Sequence, residues 1–265
     1  MTEARKPKRP LQFVMHNLLR CSQRERKQVV NDLITLQTEV FNPRPGLTRE
    51  AAVERIREYV ELATDADRFD IYCRVLLVSD GDRVVGGSTA FVERRDVGDA
   101  SVIVIRNGAN VLPEYRNRGL TGQLFGRLAA RYAWRVPLTR RPHYYLGHVM
   151  SPVIYHFICG RARFVWPAAE PRMPQMRALY RDLVGDQEVV EETVGSSTDA
   201  KTDAWLDRTD SAYVRFFLEK NPEFREGYAM PVLAKLEPYD FVRALGQTLK
   251  AQRSTRRIRS ILRLS

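Results

Sequence analysis

Apolar positions recur at two different periods along the first two thirds of the chain, and the switches between them set out an α/β order. Leu11 to Leu19 reads as a first strand. Ser22 and Glu25 have capping-box spacing ahead of Val29, Val30, Leu33, Ile34, Gln37, Val40 and Phe41, which share one face of a helix. Asn42-Pro43-Arg44-Pro45-Gly46 breaks that helix, and a second runs from about Thr48 to Ala63 with Ala52, Val53, Ile56 and Val60 inward. Ile71 to Val78 and Val84 to Val92 read as strands joined by the turn Asp80-Gly81-Asp82. Val102-Ile103-Val104-Ile105 and Val111-Leu112 form two parts of one strand, interrupted around Gly108. Leu120, Leu124, Leu128 and Tyr132 then fall at fourfold spacing, with Phe125 on a flank, and Pro137 is expected to stop that helix. A strand through Tyr144 to Val149, a short helix over Pro152 to Ile158 and a strand at Phe164-Val165-Trp166 complete the pattern.

The most informative stretch joins the interrupted strand to the fourfold helix: Val111-Leu112-Pro113-Glu114-Tyr115-Arg116-Asn117-Arg118-Gly119-Leu120-Thr121-Gly122. A helix start leaves its first four amides unpaired, and its dipole favours negative charge. A loop carrying Arg116, Arg118, Gly119 and Gly122 that delivers such amides is suited to a pyrophosphate, and Gly119 lets the backbone approach closely. The run has no Gly-Lys-Ser/Thr and no three-glycine fingerprint, so nucleotide triphosphates and NAD are disfavoured.

These residues resemble the central motif of the GNAT superfamily of acyl-CoA N-acyltransferases, Arg/Gln-x-x-Gly-x-Gly/Ala. Arg116-Asn117-Arg118-Gly119-Leu120-Thr121 matches at the first arginine and the glycine and departs at Thr121. The strict match covers about a dozen residues. The surrounding order extends the resemblance from Leu11 to Pro167. It implies a single α/β domain with a mixed, splayed GNAT-like β-sheet flanked by helices, followed by a mainly helical C-terminal appendage. It further implies an acyl-CoA donor, acetyl-CoA first, held by backbone groups at Val111 and Leu112 and by Arg116, Asn117, Arg118, Gly119, Leu120, Thr121 and Gly122.

Acyl transfer to an amine needs an uncharged nucleophile, a thioester held beside it and a proton for the leaving thiolate. Tyr155 is the candidate acid, because the resembled family often places a tyrosine in the corresponding helix. Ser151-Pro152-Val153-Ile154-Tyr155-His156-Phe157 lacks the usual asparagine. Glu93, at the end of a predicted strand, and His148, near the end of another, are candidate bases; Asp96, Asp99 and His156 are rivals. No metal is expected, since the four histidines have no ligand spacing.

Composition narrows the class without naming an acceptor. The 265 residues are 44% hydrophobic and 28% charged, ordinary for a globular chain. No apolar run has the length of a membrane span, and Arg5, Lys6, Lys8 and Arg9 precede no long apolar segment. A cytoplasmic enzyme is expected. Cys21, Cys73 and Cys159 are too few and too scattered for a disulfide framework. The organisation expected is a basic tail at 1–10, a core at 11–167, a C-terminal extension packed on it at 168–245 and a second basic tail at 246–265. Within the extension, 171–183 reads as a helix, 186–203 as an acidic polar loop, and 228–236 as part of a compact stretch that packs on the core. The last twenty residues hold six Lys or Arg and no Asp or Glu, and the formal net charge is +11. Membrane-surface contact, nucleic-acid contact and docking to an acidic protein all remain open for that tail. The leading expectation is transfer of an acetyl group from coenzyme A to a primary amine. The alternatives are a long-chain acyl-CoA or acyl-carrier-protein donor, and a non-catalytic protein of the same fold that senses a thioester or binds nucleic acid.

Overall fold

The computed structural model describes residues 10–43, 45–65, 69, 71–116, 118–169, 173, 175–185, 191–193, 195–196 and 200–240. The two basic tails, 1–9 and 241–265, lie outside the described residues. Strands are β1 (Gln12–Asn17), β2 (Asn42–Pro43), β3 (Tyr72–Asp80), β4 (Arg83–Val97), β5 (Ala100–Val111), β6 (His143–Val149), β7 (Phe164–Trp166), β8 (Glu191–Glu192), β9 (Gly195–Ser196) and β10 (Tyr228–Leu236). Helices are α1 (Gln23–Val40), α2 (Arg49–Ala63), α3 (Leu120–Ala133), α4 (Val136–Thr139), α5 (Pro152–Cys159), α6 (Gln175–Val184), α7 (Ala200–Leu206) and α8 (Ala212–Lys220). No helix among the described residues is long and apolar enough to cross a membrane.

The main sheet runs β1-β3-β4-β5-β6-β10-β7, with β8 paired to β10. Its pairings are antiparallel except between β5 and β6, which lie parallel. This is the mixed, splayed, GNAT-like sheet that the motif implies. Local chemistry explains its helices. The Ser22 and Thr48 hydroxyls accept from the Glu25 and Ala51 amides and cap α1 and α2. Leu120, Leu124, Leu128 and Tyr132 of α3 are buried against Leu76, Val78, Val92, Ile103 and Ile105 of the sheet. The opposite face meets α1 and α2 through Leu33, Ile56, Val60, Val75, Leu77 and Phe91.

Three elements differ from the sequence reading. β5 is continuous through Gly108, because its ladder with β4 runs without a register shift from Val97↔Ala100 to Gly86↔Val111. Main-chain pairing carries the polar run Arg106–Asn110, where apolar patterning falls silent. Pro137 does not stop a helix: α3 ends at Ala133, and Pro137 lies in the first turn of α4, where its missing N–H has no partner to lose.

The third difference is a strand within the C-terminal extension. The segment expected as an appendage supplies β10, which lies between β6 and β7 inside the sheet. Ala229 to Ala234 are all buried, as befits a strand covered on both faces. Within the C-terminal extension, Tyr228–Leu236 thus packs on the core by joining its sheet between β6 and β7. The outer flank of β10 pairs with β8 at Tyr228 and Ala229 and with β7 from Leu233 to Lys235. Pro231, which has no amide to donate, sits in the gap between them. Helices in this part of the chain are as expected; α8 seals a second core of Val149, Tyr155, Val165, Phe217, Phe224, Met230 and Val232.

Candidate active site

The parallel strands β5 and β6 pair at only three positions, Ile103↔His143, Val104↔Tyr144 and Ile105↔Tyr145. Beyond Ile105 both continue without a mutual ladder, so the sheet opens toward Val111 and Val149. Two hydrogen bonds fix which way the β5 backbone faces. The Ile103 amide donates to Pro142 O, toward β6, and the Leu112 amide donates to Val85 O, toward β4. Successive residues of a strand alternate, so Asn107, Ala109 and Val111 direct their N–H and C=O groups into the opening. The Leu112 amide, expected to serve the donor, is already spent on β4; the Val111 carbonyl, also expected there, accepts from Arg116 Nε at 3.1 Å. Ala109 and Val111 thus present the amides that an extended chain in the opening would meet.

The loop after β5 is braced on all sides. Arg83 pairs with Glu114 and Glu39, and the Tyr115 hydroxyl donates to Asp80 at 2.8 Å. That bond to the Asp80 carboxylate is the first cause of a raised Tyr115 pKa. Arg118 donates to Glu114 O at 3.0 Å and lies 4.8 Å over the Tyr115 ring. Gly119 caps α3 at φ +70, where a Cβ would meet nothing within 4 Å. Its value is therefore the left-handed backbone and the bare approach to the amides behind it. The first i→i−4 bond of α3 is Gln123 N to Gly119 O, so the Leu120, Thr121 and Gly122 amides precede the helical ladder. Gly122 is exposed and Thr121 half-buried in this turn, while the Leu120 side chain anchors the core. Asn117 lies outside the described residues.

The proposed catalytic residues are not brought together. Tyr155 is fully buried in the β10–α8 core, and its hydroxyl donates to Pro167 O at 2.6 Å. Burial pushes its pKa far up, so it is a neutral packing residue whose one proton is engaged. The acid assigned to Tyr155 is thereby corrected to a structural role. Glu93 lies within β4, not at its end, and is 4% exposed. Its oxygens meet Arg106 Nε at 3.2 Å and Arg95 Nε at 3.1 Å, so it is a buried counter-ion and not an available base. His148 is exposed on β6, four residues past Tyr144. Glu93 is level with Val104 and hence with Tyr144, which puts the two candidates about 13 Å apart along the strands. Asp96 and Asp99 are exposed at the β4–β5 hairpin, the end away from the opening. His156 Nδ1 is 2.8 Å from Ser211 Oγ and packs near Trp205 and Tyr213.

Tyr145 is the residue that sequence reading missed. It occupies the last paired position of β6, and its hydroxyl reaches across the opening to Asn107 O at 3.4 Å. A Cβ on Gly147 would stand 2.3 Å from that hydroxyl, so glycine is what allows the ring to lie along β6. Burial raises the Tyr145 pKa and keeps the phenol protonated. The signal was present as Tyr-x-Gly on one face of a strand.

No family model matches the chain, and no curated protein matches it. Among solved structures it is similar to a GCN5-related N-acetyltransferase from Kribbella flavida, at 22% identity and TM-score 0.36, over 56% of this chain and 32% of that one. The chain thus spans about a third of that relative's length. It is similar to a GCN5-related N-acetyltransferase from Ralstonia eutropha at 16% identity and TM-score 0.32, over 48% of this chain and 78% of that one. A GNAT-family acetyltransferase from Brucella melitensis in complex with acetyl-CoA is similar at 15% identity and TM-score 0.34, over 51% of this chain and 75% of that one. Likeness of this depth carries no function. The strand order defines a GNAT-like fold with an open β5/β6 edge beside the loop that leads into α3.

Proposed function

We propose that this chain is an N-acyltransferase that takes its acyl group from coenzyme A and passes it to a primary amine. One observation carries the reading: the strand whose outward amides line the opening runs directly into the Arg116–Gly119 loop and the unpaired amides of α3. A pyrophosphate at that helix start puts the pantetheine arm along Ala109 and Val111 and the thioester beside Tyr145. The neutral amine attacks the thioester carbonyl carbon, the carbon–sulfur bond breaks, and the thiolate takes a proton. An outward β5 amide supports the developing oxyanion. Tyr145 supplies the proton to sulfur, and the amine proton passes to water in the opening, with His148, on the other face of β6, as the acceptor that such water would reach. The Tyr145 ring closes the vertex of the opening, which favours acetyl over long acyl chains.

The test is release of free thiol from acetyl-CoA in the presence of a panel of primary amines, with calorimetric titration of acetyl-CoA, a long-chain acyl-CoA and free coenzyme A. Saturable binding with amine-dependent thiol release supports the reading. Binding without turnover across the panel turns it into a thioester sensor, and no binding removes the site.

A further inference from the structure

A different surface collects positive charge, and among the described residues no carboxylate is seen to pair with it. Arg127 and Arg131 of α3 and Arg135, two residues past its end with the backbone still right-handed, lie four residues apart in one row about 12 Å long. Arg127 lies 4.2 Å over the ring of Phe13 on the edge strand β1, and its buried Nε has no hydrogen-bond partner. Arg135 donates to Ile71 O at 3.2 Å and lies 5.4 Å from the Tyr72 ring, which Arg74 approaches at 5.5 Å. Arg74 pairs across the ladder with Asn17, and the turn after β1 carries Arg20 three residues later. Five guanidinium groups therefore border the seam between α3 and the β1–β3 edge.

Burial, followed by Arg131, Arg135 and Arg20, lowers the Arg74 pKa, while the Tyr72 phenol opposes them, which places these four guanidinium groups within electrostatic reach of one another. The charges acting on the Tyr72 phenol are likewise Arg74, Arg135 and Arg131. Asp65 acts on Cys73, whose side chain packs on the opposite face of the sheet. Beside Arg135, at 5.0 Å, stands Trp134, 59% exposed. Like charges gathered along one seam suit an anionic ligand that neutralises several at once. Guanidinium forks seated over rings offer fixed donors to phosphate oxygens, and an exposed indole offers a base a stacking surface.

We infer that the seam between α3 and the β1–β3 edge binds the sugar–phosphate backbone of a single-stranded nucleic acid, with Trp134 stacking on a base at its end. The seam lies at the β1 side of the sheet and toward the C-terminal end of α3, whereas the donor loop lies at its N-terminal end. Both ligands can be bound at once, and this inference stands whether or not the chain transfers acyl groups.

The test measures fluorescence anisotropy of a labelled mixed-sequence RNA of about 20 nucleotides with the full chain across a salt series. Arg20→Ala/Arg74→Ala/Arg131→Ala should weaken binding about 10-fold or more at 0.1 M salt and flatten the log–log salt slope by about 2. A charge-matched control, Arg163→Ala/Arg177→Ala/Arg208→Ala, alters three exposed arginines elsewhere and should stay within about 2-fold of wild type. Trp134→Ala should lose affinity with little change in slope. If the triple variant fails to fold, Arg131→Ala alone, at an exposed position, should lose about 3-fold. Equal losses in the two triple variants, no RNA or DNA binding by wild type, or binding only to vesicles containing phosphatidylglycerol would each overturn the inference.

Discussion

The two edges of β5 behave as parts of different structures. Toward β4 the ladder is unbroken from Val97↔Ala100 to Gly86↔Val111; toward β6 it stops after three pairs. The same backbone is scaffold on one side and an unclosed edge on the other. Edges left open inside a sheet are hazards unless something fills them, and here the open edge leads into the loop proposed to hold the donor phosphates. A β5 paired with β6 along its whole length would leave no opening for the proposed donor.

The contrast can be broken most severely at the end of the opening. Gly119→Val forces a β-branched residue into φ +70, which costs about 1–2 kcal/mol and turns the loop away from the α3 amides. Acetyl-CoA affinity should fall about 100-fold or more, read by calorimetry, with the circular dichroism of the fold retained. An unchanged affinity would place the donor elsewhere. Next in size is Tyr145→Phe, which removes the hydroxyl that faces Asn107 O. The turnover number should drop about 100-fold with KM for the donor unchanged, whereas a merely structural hydroxyl would move neither.

Tyr155→Phe sharpens the comparison from the closed side. Its hydroxyl serves Pro167 O within the β10–α8 core, so the loss should appear as about 1–3 kcal/mol of unfolding free energy by denaturant titration, with turnover nearly unaffected. The smallest effect concerns His143, where β6 begins. Burial lowers its pKa, and Tyr132 and Thr139 hydroxyls lie within 3.5 Å of Nε2. With the folded pKa below the unfolded 6.5, the unfolded chain binds more protons, so this contribution to stability is present above about 6.5 and is lost as pH falls below it. His143→Gln should flatten that acid limb in a series of denaturant melts.

The loop and helix proposed to hold the donor were legible because they are local. A strand end, a glycine that must take a left-handed conformation and a helix with fourfold leucines are all written in contiguous residues. What was misread depends on contacts between distant segments. Nothing near Tyr155 announces that Pro167 will accept its proton, and although Arg95 stands two residues from Glu93 on the same strand face, nothing nearby announces that Arg106 will close on it from β5. β10 was hidden by Pro231, a residue that argues against a central strand until the gap between β8 and β7 is known. The apolar run Ala229 to Ala234 was the clue that outweighed it.

Amide hydrogen exchange along β5, with and without acetyl-CoA, tests the central claim most directly. The Ala109 and Val111 amides face the opening, while those of Gly108 and Asn110 face β4. Donor binding should slow exchange at Ala109 and Val111 by about 10-fold or more and leave Gly108 and Asn110 almost unmoved. Uniform slowing along the strand, or none at Ala109 and Val111 under saturating acetyl-CoA, would contradict a donor seated in the β5/β6 opening.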